Sequence, residues 1–244
     1  MDVLRFQQVI ADAEKAHPFI IKGAISHWPA LNDHSWSDLA YLQETVGSHR
    51  LVPVELGTKY TDKDWTQKLM PFGKFLEQTM SMNEAGVCGY MAQHNLLDQA
   101  FKLKNDFIIP DYAFVETGRR LVPNDQTAST DGIVVNVWIG PQGTVSPLHF
   151  DNYDNLFAQV AGYKYFCLYS PSEAPNLYPY PPDSHMPNTS QVDMESVDLN
   201  RYPCFAKASS VECVVEPGDL LYIPPKWWHF VRSHSYSASI SMWF

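Results

Sequence analysis

The sequence predicts a mostly β protein with flanking helices, closing on a double-stranded β-helix, or jelly roll. Two observations predict it. From Ile133 onward, short runs rich in Val, Ile, Phe and Tyr alternate with Gly, Pro and polar turn signals. Eight of them can be read: Ile133–Ile139, Ser146–Phe150, Asn155–Val160, Lys164–Tyr169, Val211–Val215, Leu220–Ile223, His229–Arg232 and Ser237–Trp243. Eight short antiparallel strands suit a double-sheet jelly roll. Between the fourth and fifth, residues 171–190 hold six prolines, so regular structure should stop there. A long insert over 171–207 is expected.

The first half reads differently. Val3, Leu4, Phe6, Val9, Ile10 and Ala13 give an apolar face at helical spacing over 2–16, stopped by His17-Pro18. Phe19–Gly23 reads as a short strand. Ser37 is a candidate cap for a helix over 38–46, ending at Gly47. Arg50–Gly57 alternates as a strand, with Pro53 suggesting a sheet edge. Thr61–Trp65 reads as a polar turn with an exposed aromatic. A helix is expected over 71–82 with Pro71 in its first turn, a strand over 87–93, short helical pieces to Lys104, and a polar loop over 116–132. The expected organisation is one unit, residues 1–132 packing on a jelly-roll core of 133–244.

Composition narrows the function. The chain is 45% hydrophobic and 14% aromatic, enough for a sizeable core. Net charge is −10, which disfavours nucleic-acid backbone as a partner and is compatible with a basic peptide. Cys88, Cys167, Cys204 and Cys213 show no Cys-x-x-Cys spacing, so free thiols in a reducing compartment are expected. No apolar run approaches a membrane span, and no signal-peptide core is visible at the N-terminus. A soluble intracellular protein, nuclear or cytoplasmic, is the expectation.

The chemistry centres on Ser146-Pro-Leu-His-Phe-Asp-Asn-Tyr-Asp-Asn155. Side chains two apart on a strand point to one face, so His149 and Asp151 can reach a single ion. His229 supplies a third ligand from a second strand. Two His and one carboxylate form the facial triad of non-haem Fe(II) oxygenases, with open positions for co-substrate and O2. His-x-Asp alone is a weak signal, but Lys164 strengthens it. It lies in the apolar and aromatic run Tyr163–Tyr169, where a cation is expensive unless an anion meets it. A small dicarboxylate would provide one; the alternative is that Lys164 snorkels to the rim.

With these residues in place, the sequence resembles the Jumonji-C domain oxygenases, the Fe(II)- and 2-oxoglutarate-dependent cupin-like class. Within it the chain is most similar to the Jumonji-domain-containing protein 5 (lysine demethylase 8) group of protein arginyl hydroxylases. The resemblance covers nearly the whole chain. It rests on the triad, on Lys164, and on Val54-Glu-Leu-Gly-Thr-Lys-Tyr-Thr-Asp-Lys-Asp-Trp65, Gly89-Tyr-Met-Ala-Gln-His94, Trp138-Ile-Gly-Pro-Gln-Gly143, Asn188-Thr-Ser-Gln-Val-Asp193 and Phe205-Ala-Lys-Ala208.

The resemblance implies that Tyr90, Ser146 and Lys164 hold the distal carboxylate of 2-oxoglutarate and that Asn155 contacts its iron-chelating end. The implied reaction releases succinate and CO2 and hydroxylates a substrate carbon. Asn152 departs from the group, whose members often carry proline there. Phe150 is expected between the metal ligands and Tyr153 close to the metal.

A guanidinium substrate needs a carboxylate for its fork and an aromatic face. Glu55 and Trp65 match the group's substrate-contacting positions, so arginine in a peptide or protein is the expected target. The rivals are N-methyl-lysine demethylation, RNA hydroxylation, a non-catalytic binding module, and a zinc hydrolase using the same triad.

Overall fold

The computed structural model describes residues 1–12, 16–57, 59–80, 89–116 and 132–244. Helix α1 (Val3–Ile10) starts where Asp2 accepts the Arg5 amide at 2.8 Å, and it buries Phe6 and Ile10. It is shorter than the 2–16 expected from periodicity. Strand β1 (Phe19–Ile21) follows. Helix α2 (Leu39–Val46) is capped by Asp38, which accepts the amides of Ala40 and Tyr41, and not by Ser37. Ser37 sits one residue too early, and the aspartate reaches the orphan amides directly.

Strand β2 (Leu51–Leu56) pairs along its length with β3 (Thr66–Pro71). The latter is a strand the sequence pattern does not announce. Its first four residues are all exposed, so no apolar alternation marks it. Pro71 ends this strand and does not open helix α3 (Phe72–Met80). Pro53 is not on the outermost strand. It is tolerated because β4 (Gly89–His94) pairs with β2 only at Glu55 and Leu56, beyond the proline. The expected ends of that helix at 81–82 and strand at 87–88, and the loop over 117–131, lie outside the described residues.

Helix α4 (Leu96–Gln99) leads into two 3-10 turns. Asp106, fully buried, accepts from the Trp36 indole at 2.9 Å and the Tyr41 hydroxyl at 2.8 Å, and meets His34 Nδ1 at 2.8 Å. This carboxylate ties the region before β2 to the chain after α4.

The eight expected jelly-roll strands are present: β5 (Val134–Gly140), β6 (Val145–Phe150), β7 (Asn155–Ala161), β8 (Lys164–Tyr169), β9 (Ser210–Val215), β10 (Leu220–Ile223), β11 (Trp228–Ser233) and β12 (Ser237–Trp243). They form two antiparallel sheets. The larger runs β1-β10-β7-β12-β5-β4-β2-β3 and the smaller β6-β11-β8-β9.

Strand β12 shows how the sequence is sorted. Ala238, Ile240 and Met242 join the main core, which also holds Phe6, Trp28 and Phe75. Its serines face the space between the sheets, where Ser239 donates to Gln159 Oε1 at 2.9 Å and Ser241 accepts from the Trp138 indole at 2.9 Å. The turn from β7 to β8 requires glycine: a Cβ on Gly162, at φ +69°, would lie 1.7 Å from the Tyr236 carbonyl oxygen.

The proline-rich insert is more ordered than its composition suggests. It contains a 3-10 turn, the short helix α5 (Ala174–Leu177), and a second 3-10 turn at Pro203–Lys207. Leu177, Met194 and Phe205 pack with Leu148, Tyr169, Trp228 and Phe230 of the smaller sheet. Thr189 bridges back to His149 on β6, flanked by bonds from Phe150 N to Asn188 O and from Ser190 N to Leu148 O. The three described cysteines, Cys167, Cys204 and Cys213, are free thiols. No helix among the described residues is long and apolar enough to cross a membrane.

Candidate metal centre and cleft

His149 lies near the end of β6, Asp151 just past it, and His229 near the start of β11. The two strands pair antiparallel with His229 opposite His149, so the sheet register brings the imidazoles together with ring centroids 4.3 Å apart. Asp151 enters from the same side as His149. One candidate ligand atom from each of the three residues lies within 4.8 Å of the others. His229 Nε2 is 3.6 Å from Asp151 Oδ2.

The tautomers suit a metal. His149 Nδ1 is 2.7 Å from the Pro147 carbonyl and His229 Nδ1 is 3.0 Å from the Trp227 carbonyl. A carbonyl only accepts, so each Nδ1 carries the proton and each Nε2 keeps its lone pair. Burial, helped by the neighbouring His149, lowers the pKa of His229 to about 4, against a smaller upward pull from Asp151. His229 is therefore neutral and ready to ligate near neutrality.

Lys164, the first residue of β8, is 1% exposed. Its amine donates to the Tyr90 hydroxyl at 3.1 Å and lies 5.3–5.8 Å from the ring centres of Phe157, Tyr90 and Trp138. No carboxylate pairs with it among the described residues. Burial alone lowers its pKa to about 7. Snorkelling is excluded by this depth. Asn155, at the start of β7, is buried, and its side-chain oxygen has no hydrogen-bond partner. Two imidazoles with free Nε2 atoms, a carboxylate, a buried unpaired amine and an orphaned amide form a donor set that fits a divalent metal and a small dicarboxylate.

Two spaces meet at the triad. An inner pocket reaches Lys164, Asn155, Tyr90 and Ser146. An outer cleft of about 370 Å³ is lined by Glu55, Tyr60, Asn188 and Thr189 among others. His149, Asp151, Tyr90, Ser146, Trp138 and Trp243 border both.

Burial raises the pKa of Glu55, while the Trp65 indole opposes that rise. The indole N–H nevertheless falls short of hydrogen-bond geometry and stays without a partner. Trp65 is half-buried and is not among the residues lining the outer cleft.

Phe150 does not fill the gap between the ligands. It turns to the opposite face of β6, edge-on to Trp228 and under the Lys226 amine. Tyr153 lies against Trp243, 5.6 Å between ring centres.

Sequence reasoning missed Trp138, Trp243, Tyr60 and Gly140. Trp138 and Trp243 carry a signal in retrospect, since each occupies an inward position of a predicted strand. Tyr60 carries none: its place depends on a 3.2 Å contact with Thr189, 129 residues away. A Cβ on Gly140 would sit 2.7 Å from the Tyr90 ring and 2.8 Å from Thr144 Cγ2, so only glycine lets Tyr90 approach Lys164.

Fold and site together define a jelly-roll protein with a two-His, one-carboxylate centre. A family model described as a cupin-like domain matches residues 6–244, and the chain belongs to that family.

The resemblance to the Jumonji-C group is borne out by its relatives. It is 45% identical to "Lysine-specific demethylase 8" of Xenopus tropicalis over 93% of this chain and 47% of that protein. It is 40% identical to "Jumonji C domain-containing protein 5" of Drosophila melanogaster over 94% of this chain and 55% of that protein. It is 29% identical to the human "Bifunctional peptidase and (3S)-lysyl hydroxylase JMJD7" over 93% of this chain and 77% of that protein. The chain spans about half the length of the first two.

Proposed function

We propose that this chain is an Fe(II)- and 2-oxoglutarate-dependent protein hydroxylase that oxidises an arginine side chain of a peptide or protein, with release of succinate and CO2. The observation that carries the reading is Lys164: a fully buried amine without an anion, one pocket away from a triad whose Nε2 atoms are both free. A zinc hydrolase would leave that amine without a purpose, and a binding module would need neither group.

In this reading His149, Asp151 and His229 hold the iron. Lys164, Tyr90 and Ser146 clamp the distal carboxylate of 2-oxoglutarate, each charge-assisted bond contributing about 1.5–3 kcal/mol, and Asn155 faces its chelating end. When bound, the metal and keto acid supply O2 activation and oxidation of a substrate C–H bond. The chain itself binds, orients and keeps water out. Trp138 and Trp243 wall the passage between pocket and cleft. Glu55 accepts the guanidinium, whose charge compensates a carboxylate that burial otherwise disfavours. No side chain acts as nucleophile or general base.

The test is mass spectrometry of arginine peptides. A +16 shift that requires Fe(II) and 2-oxoglutarate and collapses in Glu55→Ala is expected. Unchanged turnover of those peptides by Glu55→Ala defeats the arginine assignment.

A second reading, removal of a methyl group from N-methyl-lysine after its hydroxylation, is favoured by the names of the relatives at 40–45% identity, several of them lysine-specific demethylases. Formaldehyde release from methylated histone peptides, without a stable +16 product on arginine, would select it.

A further inference from the structure

The hairpin that carries Glu55 has a second feature on the same face. In an antiparallel pair, directly opposed residues share a side of the sheet. Glu55 opposes Gln67 on β3 and Tyr90 on β4. Pro53 opposes Leu69, and Leu51 opposes Pro71. All therefore lie on the side of Glu55 and Tyr90, which line the outer cleft. Val52 and Val54, in between, turn into the core and are fully buried.

The cleft side is open: Leu51 is 52% exposed and Leu69 69%. Single exposed leucines need no explanation. Two consecutive cross-strand pairs of leucine and proline, in line with the cleft and on a face that would ordinarily be polar, do. Lys68, the cation within the two paired strands, opposes Val54 and so belongs to the other face.

We propose that this face is a docking shelf for the substrate polypeptide, and that it recognises an apolar side chain two or four residues from the one being oxidised. The spacing follows from strand geometry. At about 3.4 Å per residue, the Pro53–Leu69 and Leu51–Pro71 pairs lie about 7 Å and 14 Å from Glu55. An extended peptide has the same rise and alternation, so side chains at those two positions meet the two pairs. The two leucine–proline pairs carry no charge, which selects an apolar group over a charged one at those positions. The inference rests on the outer cleft being the substrate site.

The test is fluorescence anisotropy on the full chain with Mn(II) and 2-oxoglutarate present, so that binding is read without turnover. The probes are labelled peptides with a central Arg in an Ala-Gly background and Leu, Ala or Asp two and four residues to either side. The Leu peptide should bind roughly tenfold tighter than the Ala peptide, the effect of covering one leucine. Leu69→Asp should erase that preference. Both leucines are largely exposed, so Leu69→Asp and Leu51→Asp leave the fold intact.

Equal affinities for the three peptides, no binding of any, or a Leu preference that survives both variants overturns the shelf. A wild-type dimer that Leu69→Asp dissociates, with peptide affinities unchanged, assigns the face to a second copy and overturns it too. A Leu preference that persists while trimethyl-lysine peptides bind tighter than the matching Arg peptides supports the shelf and sinks only the arginine reading.

Discussion

Replacing Lys164 by methionine should make the ligand-free protein more stable while destroying its use for a dicarboxylate. The folded pKa is about 7, lowered from 10.5 by burial. Its sign follows from linkage. Between pH 7 and 10.5 the unfolded chain holds a proton that the folded chain lacks, so the lysine's penalty shrinks as pH rises across that window. Below pH 7 it is present in full. At 1.36 kcal/mol per unit, 3.5 units give about 5 kcal/mol. At pH 7.5 about 4 kcal/mol remains, and near pH 10 less than about 1 kcal/mol. Losing the bond to Tyr90 offsets about 1 kcal/mol.

Lys164→Met should therefore gain about 2–3 kcal/mol in urea unfolding at pH 7.5 with EDTA, and most of that gain should vanish by pH 10. Without EDTA and with Mn(II) in every sample, adding 2-oxoglutarate should raise the wild-type midpoint by mass action and leave the variant's unmoved. A variant less stable than the parent at pH 7.5, or a gain that ignores pH, would refute the picture of an amine waiting for its anion.

The other predictions concern groups around it. His229 titrates near 4 in the folded chain and near 6.5 unfolded, so metal-free protein should lose up to about 3 kcal/mol on acidification from pH 6.5 to 4. His229→Leu should flatten that part of the stability profile; an unchanged slope would contradict it. Gly140→Ala should force Tyr90 off Lys164 and weaken 2-oxoglutarate binding severalfold, with Mn(II) affinity unchanged by calorimetry. Asp106→Ala should lower stability by about 3 kcal/mol in thermal unfolding, because it strands the buried Trp36 indole and takes the acceptor from the partly buried Tyr41 hydroxyl.

What was legible in the sequence was whatever a short window could specify. The jelly-roll strands were readable because apolar alternation and turn residues are local, and β12, with its Ser-Ala-Ser-Ile-Ser-Met-Trp run, announces both of its faces. His149 and Asp151 were readable from a two-residue period. Lys164 was readable because a cation among aromatics conflicts with its surroundings. Strand β3 was not readable, since it buries almost nothing and exists through pairing with β2. Asp38 and Ser37 are both good caps, and only the backbone path selects between them. Trp138 and Trp243 show an inward position locally, but Tyr60 reaches the site from a turn through a contact with Thr189, 129 residues away, which no window reports.

The same register sets the length of the inner pocket. On β11, His229 opposes Leu168 of β8 and Ser233 opposes Lys164. His229 and the lysine are thus separated by four residues of one ladder, about 14 Å of strand. The inner pocket that both residues line is the room left between them for a ligand with one end at each group. A slip of one residue between β8 and β11 would turn the lysine out of the barrel altogether. One of the aromatic rings that make Lys164 costly, Phe157 on β7, also packs edge-on to Phe166 of β8 and so ties the lysine's own strand to the facing sheet. The packing that disfavours the charge is what aims it.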